Sequence, residues 1–456
     1  DKYLTGSNGS IKYFSDGKGR KLELSEIYEA PTSGITLQLS IDLDLQLAIE
    51  NELDNVVAKY NPNSVIALAM NPNTGEILAS SARPNFNSNN YKAYNVEVIN
   101  RNLPIWMTFE PGSTMKITTY TAAINEGLVN IFEDKYTDTG KINVDGATLH
   151  CWKRGGHGLQ TYLEVIENSC NTGFVSLGLM LQKEKLMEYI KELGFGKKTG
   201  IDLNGESTGI LFDINKMGNV ELATTAFGQG ISVTPIQQVR AVSAIVNGGT
   251  LYTPYIVKNF LEPETNTIIK SISPKGTKNI IKKETSDLVK YALESVVAKG
   301  SGHNAYIENY RIGGKTGTAQ TVENGVYSNS KYILSFIGFM PADNPEIVLY
   351  IAVDNPKNVV QYGGVVAAPI AKNIFLSAID ILDIKQSNEG IAKEYTWLDQ
   401  KYVQVPDVVG KTVDEAKSLL KGFSIEYSGN GNKVIYTSPK SGTYTKEFGT
   451  IVLMLN

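Results

Sequence analysis

The sequence predicts an α/β protein: one antiparallel sheet packed by helices, followed by a small α+β module. Three observations carry this. Strand-like runs stand at both ends of a long segment, SVIALAM and EILAS early, then KTGTA, SFIGFMPA and EIVLYIAVD late. Between them lie stretches with helical periodicity. After a polar stretch at 384–402, residues 403–456 hold their own short helix and three strand candidates.

Each element has a local cause. Residues 1–33 are rich in Gly, Ser and charge and read as the end of a preceding unit. ITLQLS then gives a short strand. In the helix after it, Leu45, Ile49, Leu53, Val56, Val57 and Tyr60 recur at helical spacing and define a buried face. NPNTG between SVIALAM and EILAS is a turn joining two strands. PGSTMKITTYTAAINEG is expected to start a helix near Ser113 and end it at Gly127, and a second helix is expected over Leu163–Leu181. VVAAPIAKNIFLSAIDIL closes the large unit. In the small one, Thr412 and Glu415 form a capping box, with Val413, Ala416, Leu419 and Leu420 as the apolar face. The expected organisation is a remnant at 1–33, a large domain at 34–383, a linker at 384–402 and a module at 403–456.

Composition narrows the function. The chain has 456 residues, is 42% hydrophobic and 20% charged, and carries a net charge of −4. A core of normal size can form. No basic stripe supports nucleic-acid binding, and no apolar run approaches the ~20 residues of a bilayer span. The chain starts at Asp1 without a signal pattern and reads as a cut-down or processed piece; the membrane anchor expected upstream of it comes from the family resemblance described below, not from this start.

A hydroxyl and an amine one helical turn apart share a face, so a neutral lysine can take the serine proton. Four Ser-x-x-Lys pairs occur: Ser15–Lys18, Ser113–Lys116, Ser328–Lys331 and Ser418–Lys421. Any one match is more often a solvated surface pair. Only Ser113 joins a helix start to a preceding Pro-Gly turn, where helix N–H groups favour developing negative charge. Ser169-Cys170-Asn171 adds a second hydroxyl and an amide, although Ser88–Asn90 and Ser428–Asn430 share that spacing. Lys315-Thr316-Gly317-Thr318 comes after two glycines at a strand start; Lys198-Thr199-Gly200 is the weaker match because Ile201 stands next to it. This ordered triple is the motif set of penicillin-binding proteins and class A β-lactamases.

On FEPGSTMK, ENSCNTG, FGQGISVTPIQ, GGKTGTAQ, NPNTGEILAS and SFIGFMPADNP, the chain resembles the class B penicillin-binding proteins, bacterial D,D-transpeptidases. The resemblance runs from about residue 34 to 383. The stretch from VPDVVGKTVDEA to the last strand resembles a PASTA domain, and the stub at 1–33 resembles the end of the family's pedestal domain. The single PASTA copy is similar to that of sporulation members, with the division transpeptidases as close rivals.

This resemblance implies roles. Ser113 attacks the carbonyl between two terminal D-alanines, with Lys116 as base. Ser169 passes a proton to the leaving D-alanine, and Asn171 holds the substrate amide and orients Lys116. Lys315, Thr316, Gly317 and Thr318 hold the terminal carboxylate. N–H groups of Ser113 and Thr318 form the oxyanion hole. An amine from a second stem peptide resolves the acyl-enzyme, and β-lactams mimic the dipeptide. A membrane glycosyltransferase is the implied partner.

Cys151 and Cys170 are the only cysteines and lie near His157 in sequence. Thiolates with an imidazole are a zinc set; the other readings are a buried Cys170 with an exposed Cys151, or a disulfide. A zinc-carrying subset of the family has ligands at the positions of Asp138, Cys151, His157 and Cys170, though a carboxylate stands there in place of Cys151. His150 is the rival fourth ligand. The implied zinc is structural; the acyl transfer itself needs no cofactor. Other functions fit less well. A β-lactamase or carboxypeptidase needs a water-activating group that cannot be assigned, a non-catalytic β-lactam sensor or scaffold would not need the full motif set, and three histidines with no Gly-x-Ser-x-Gly disfavour a Ser-His-Asp hydrolase.

Overall fold

A computed structural model describes all residues except 1–2, 24–25, 324, 395–401 and 447–448. Its centre is a five-stranded antiparallel sheet. The strands are β1 (Ser64–Met70), β2 (Ile77–Arg83), β3 (Gly313–Glu323), β4 (Val326–Met340) and β5 (Ile347–Asp354), in spatial order β3-β4-β5-β1-β2. Both ends of the large segment thus meet in one sheet, and β3 lies at its edge.

The period-2 pattern of the strands builds two cores. On β1, Ile66, Leu68 and Met70 face one cluster, whereas Val65, Ala67 and Ala69 face another. The second cluster is closed by helix α1 (Leu43–Tyr60) and by the last helix of the large unit, Gly363–Ile381. Asp42 caps α1 by accepting the Leu45 N–H at 3.0 Å. Leu45, Ile49, Leu53, Val56 and Tyr60 are buried, as their spacing predicts, but Val57 is exposed because the helix lies on the sheet along a narrower stripe. Gly363–Ile381 is long and apolar enough to cross a membrane by composition, which the sequence reading missed; here more than half of that stretch is buried against the sheet.

The first cluster is helical. It packs α2 (Lys116–Asn125), α3 (Tyr162–Glu167), α4 (Asn171–Glu192), α5 (Pro235–Val246) and α6 (Lys283–Ala298) against the other face of the sheet. One helix was expected across Leu163–Leu181. The chain instead makes two, because Ser169 adopts φ +51° and Cys170 is extended and caps α4. A left-handed serine is uncommon and marks a local constraint. α2 is preceded by a 3₁₀ turn, Gly112–Thr114, so Ser113 lies just before the regular helix.

In residues 403–456, helix α7 (Val413–Leu419) carries the expected capping box. A three-stranded sheet comes after it, β6 (Ser424–Ser428), β7 (Val434–Ser438) and β8 (Thr450–Leu455), in order β6-β8-β7, and Tyr444–Lys446 pairs separately with Tyr402–Gln404. Val405, Val408, Ala416, Leu420, Val434, Ile451 and Leu453 form a separate small core. Leu419, expected on the apolar face, is exposed. In 1–33, Ser10–Lys12 pairs with Ile27–Glu29 as a small exposed ribbon. Much of the expected linker, 395–401, lies outside the described residues.

Candidate active site

Three elements meet at the edge of the sheet, and each brings one motif. The Pro111-Gly112 turn starts the first. Gly112 has φ +55° and packs so tightly that a Cβ there would lie 3.2 Å from Thr318 O and from Ala319 Cβ. Thr114 Oγ1 donates to Pro111 O at 2.8 Å and holds the turn. Ser113 emerges from it half-buried.

Lys116, one turn on, is fully buried. Its Nζ donates to Asn171 Oδ1 at 2.6 Å, Ser169 O at 2.8 Å and Ser169 Oγ at 3.2 Å. Three acceptors use all three ammonium hydrogens. Burial works against that charge and lowers the Lys116 pKa to about 8, although the Cys170 and Cys151 sulfurs oppose the shift. The left-handed turn at Ser169 is what lets its carbonyl and hydroxyl face the same ammonium, while the α4 cap at Cys170 places Asn171 beside it.

β3 supplies the third motif. Lys315, Thr316, Gly317 and Thr318 pair with Ile337, Phe336, Ser335 and Leu334 on β4. A Cβ on Gly317 would run into Ser335 Oγ and sit 3.1 Å from Thr114 Cγ2. Only glycine lets the strand lie this close to the Ser113 turn. Lys315 is fully buried, and its pKa falls well below the ordinary value, first through burial and then through Lys116. Its Nζ donates to Thr316 O at 3.2 Å. Thr318 Oγ1 accepts from Gly363 N at 3.0 Å, and Thr316 Oγ1 donates to Ser301 Oγ at 3.4 Å.

Asp138, Cys151, His157 and Cys170 form a neighbouring set whose donor atoms all lie within 4.8 Å of one another, a group able to hold a metal ion. Cys151 Sγ is 3.5 Å from His157 Nδ1 and 3.9 Å from Cys170 Sγ, so the thiols are free and both are buried. The exposed Cys151 and the disulfide are therefore not what the fold builds. Burial alone would lift the Asp138 carboxyl, but Gly140 N–H, the Thr172 hydroxyl and His157 hold it below its ordinary range. His157 Nε2 is buried without a partner among the described residues. His150 is outside the set and exposed.

The sequence did not single out three neighbours. Ser301 reaches Thr316, Trp152 stacks near Tyr362 with ring centroids 6.1 Å apart, and Glu167 fastens the end of α3 to Ser295 on α6. Glu167 opens the ENSCNTG block but no role was assigned to it, Ser301 and Trp152 lie outside the quoted motifs, and the fold brings all three to the site.

Residues 65–376 match the penicillin binding protein transpeptidase domain. The chain belongs to that family. Residues 403–456 match the PASTA domain. The chain is 54% identical to stage V sporulation protein D of Bacillus subtilis over its whole length, spanning 71% of that protein. It is 32% identical to the peptidoglycan D,D-transpeptidase FtsI of Escherichia coli, with 84% of the chain aligned to 63% of that relative. The fold is similar to a penicillin-binding protein 3 of Mycobacterium tuberculosis crystallised with ampicillin (TM-score 0.74, 27% identity, 79% of this chain and 81% of that one). It is also similar to penicillin-binding protein 2X of Streptococcus thermophilus (TM-score 0.71, 25% identity, 100% and 68%). The family and the mixed helix-and-sheet fold read from the sequence both hold.

Proposed function

We propose that this transpeptidase crosslinks peptidoglycan stem peptides through an acyl-enzyme at Ser113. The observation that carries the reading is Lys116: a buried amine one turn from Ser113, held by both Ser169 and Asn171. Ser113 Oγ attacks the carbonyl between the terminal D-alanines while its proton passes to Lys116. The C–N bond breaks, and the leaving D-alanine takes a proton through Ser169. N–H groups of Ser113 and Thr318 hold the oxyanion, and Lys315-Thr316-Gly317-Thr318 hold the carboxylate. The amine of a second stem peptide then attacks the ester, giving the crosslink and free Ser113. Intact-mass measurement with a penicillin tests this: wild type gains one stable adduct, and Ser113→Ala gains none. Adduct formation by Ser113→Ala would refute it.

The metal set fits zinc. Bonds of ~2.3 Å to sulfur and ~2.0 Å to nitrogen give tetrahedral edges of roughly 3.5–3.8 Å, close to the Cys151–His157 and Cys151–Cys170 separations. Asp138, Cys151, His157 and Cys170 would hold the ion, which supplies a brace and no chemistry in the acyl transfer. These residues tie loop 138–157 to Cys170 and so orient Ser169 and Asn171. The greater identity to the sporulation protein than to the division enzyme supports a role in spore wall synthesis. The domain organisation we infer is a pedestal remnant at 1–33, a transpeptidase domain at 34–383, a linker at 384–402 and a PASTA domain at 403–456. Acting on wall peptides, the chain works outside the cytoplasmic membrane, anchored through an upstream segment and supplied with glycan strands by a membrane glycosyltransferase.

A further inference from the structure

Loop 138–157 carries more than the candidate metal ligands. Its strands Lys141–Val144 and Ala147–His150 form a hairpin in which Lys141 stands directly opposite His150. Cys151 N donates to Gly140 O at 2.9 Å and closes the hairpin. A Cβ on Gly156 would run into Asp138 O, so the turn through Arg154 and Gly155 folds tightly back on the start of the loop. Between hairpin and turn lies an open pocket of about 510 Å³, whose lining includes Lys141, His150, Trp152, Arg154 and Gly155. No carboxylate lines it. Residues 139–157 hold three cations, Lys141, Lys153 and Arg154, against one carboxylate, Asp145. Asp145 lies outside the pocket and accepts from Asn219 Nδ2 at 3.0 Å. None of the three cations has an ion-pair partner among the described residues. A chain of net charge −4 thus builds one concave surface of the opposite sign. Gly155 adds to it: φ is +84°, and nothing lies within 4 Å of where a Cβ would sit, so its backbone is open to a ligand.

A guanidinium fork and an ammonium without acceptors of their own suit an oxyanion. The place of the pocket says whose. It backs onto the residues on either side of Ser169. Trp152 Nε1 donates to Asn168 O at 2.9 Å, and His150 O accepts from Asn171 Nδ2 at 3.3 Å. Trp152 also packs near Tyr362, next to the Gly363 N–H that Thr318 Oγ1 accepts. The pocket therefore flanks the cleft on the wall that carries Ser169. An amine that resolves the acyl-enzyme enters where the D-alanine amine left, and it hands its proton back along the same route, to Ser169. The second peptide accordingly comes in along this wall, over Asn171 and His150, toward Lys141 and Arg154.

We propose that this pocket holds a carboxylate of the acceptor stem peptide, with Arg154 and Lys141 as its cationic partners. This rests on the transpeptidase reading above and adds where the second substrate is held. The pocket takes no part in bond making. It orients the acceptor so that its amine meets the ester at Ser113, and it disfavours an acceptor that lacks the charge.

The test acylates the full chain with a thioester of an acyl-D-alanine and follows aminolysis by Nα-acetyl-Ala-γ-D-Glu-Lys, its carboxyls free or both amidated. Wild type is expected to show a KM about tenfold lower for the free acid, as two partly exposed ion pairs allow. Arg154→Gln and Lys141→Gln should each raise that KM about fivefold relative to the KM of the diamide. Arg154→Glu should make the diamide the better acceptor. Both positions are exposed, and melting curves check that each variant folds. A merely structural role for the loop would change both acceptors alike. That result, equal KM values in wild type, or an Arg154→Glu variant that keeps the wild-type preference overturns the proposal. A D-Ala-D-Ala donor with its upstream carboxyl free or amidated separates the two peptides: a preference at the acylation step that disappears in Arg154→Gln, with the acceptor KM unmoved, also overturns it. Failure of the thioester to acylate wild type at Ser113 would sink the transpeptidase reading itself, whereas an acyl-enzyme that reacts alike with both acceptors sinks only the pocket.

Discussion

The pH dependence of acylation tests the chemistry at Lys116 most directly. Its amine must be neutral to take the Ser113 proton, and burial sets its pKa at about 8. With that value, roughly a tenth of the enzyme is competent at pH 7 and roughly nine tenths at pH 9. The acylation rate constant for a penicillin should therefore rise about eightfold to tenfold over that interval. Below pH 8 its logarithm should climb with unit slope, and above pH 8 it should level off. Stopped-flow measurement at saturating and at low penicillin separates the acylation step from binding. The separation matters because Lys315 is also shifted downward, and with the proposed role of holding the substrate carboxylate its titration should appear in binding. A flat acylation step between pH 6 and 9, or a break near the ordinary lysine value of about 10.4, would refute the assignment of Lys116 as base.

Other perturbations read other parts of the site. Lys116→Met should fold, since it removes a buried charge, but should lower acylation on the order of 10²–10⁴-fold. Gly317→Ala puts a methyl group into Ser335 Oγ and pushes β3 away from the Ser113 turn; a shift near 1 Å is expected to cost about 100-fold in acylation, and near-wild-type rates would refute the need for so close an approach. Purified protein should contain one zinc per chain, and chelation should lower both the melting temperature and acylation; zinc-free protein whose Cys170→Ser variant acylates normally would remove the metal from the site. Glu167 should make stability fall with pH. Burial raises its pKa from 4.5 to about 7, so its contribution is intact below pH 4.5 and is lost as pH rises through 7. The loss amounts to about 3 kcal/mol, and Glu167→Gln should be the more stable protein at pH 8.5 but not at pH 4. Equal melting curves at both pH values would show that the carboxyl is not held neutral.

Much of the fold was legible because the strands keep a period of two with apolar residues on both faces, as buried sheets do. The α1 stripe and the Thr412 capping box were equally local signals. The break at Ser169 was not legible. Leu163–Leu181 keeps helical periodicity throughout, and the interruption comes from tertiary contacts that pull Ser169 O onto Lys116. Exposure of Val57 and Leu419 likewise depends on the angle at which each helix meets its sheet. At the site, Ser113, Lys116, Ser169, Asn171 and Lys315 stood out as motifs. Ser301 and Glu167 are defined by partners more than a hundred residues away or on other elements.

The charge arrangement explains why this site wants a substrate that ends in a carboxylate. Two lysines are fully buried within the same cleft, and Lys116 depresses the pKa of Lys315. Lys116 has three oxygen acceptors, but the one hydrogen bond from Lys315 Nζ goes to the carbonyl of the adjacent Thr316, and no carboxylate lies in the motif. The free site is thus short of one negative charge. A terminal carboxylate beside Lys315 supplies it, restores the lysine charge and gains charge-assisted hydrogen bonds at the same time. A substrate without that group would leave Lys315 near neutrality and lose both terms. Penicillin carries a carboxylate, so it meets the same requirement as the dipeptide. Lys315→Met should accordingly lose affinity for carboxylate-bearing ligands while the Lys116 amine still titrates near 8, because a near-neutral Lys315 exerts no charge on it.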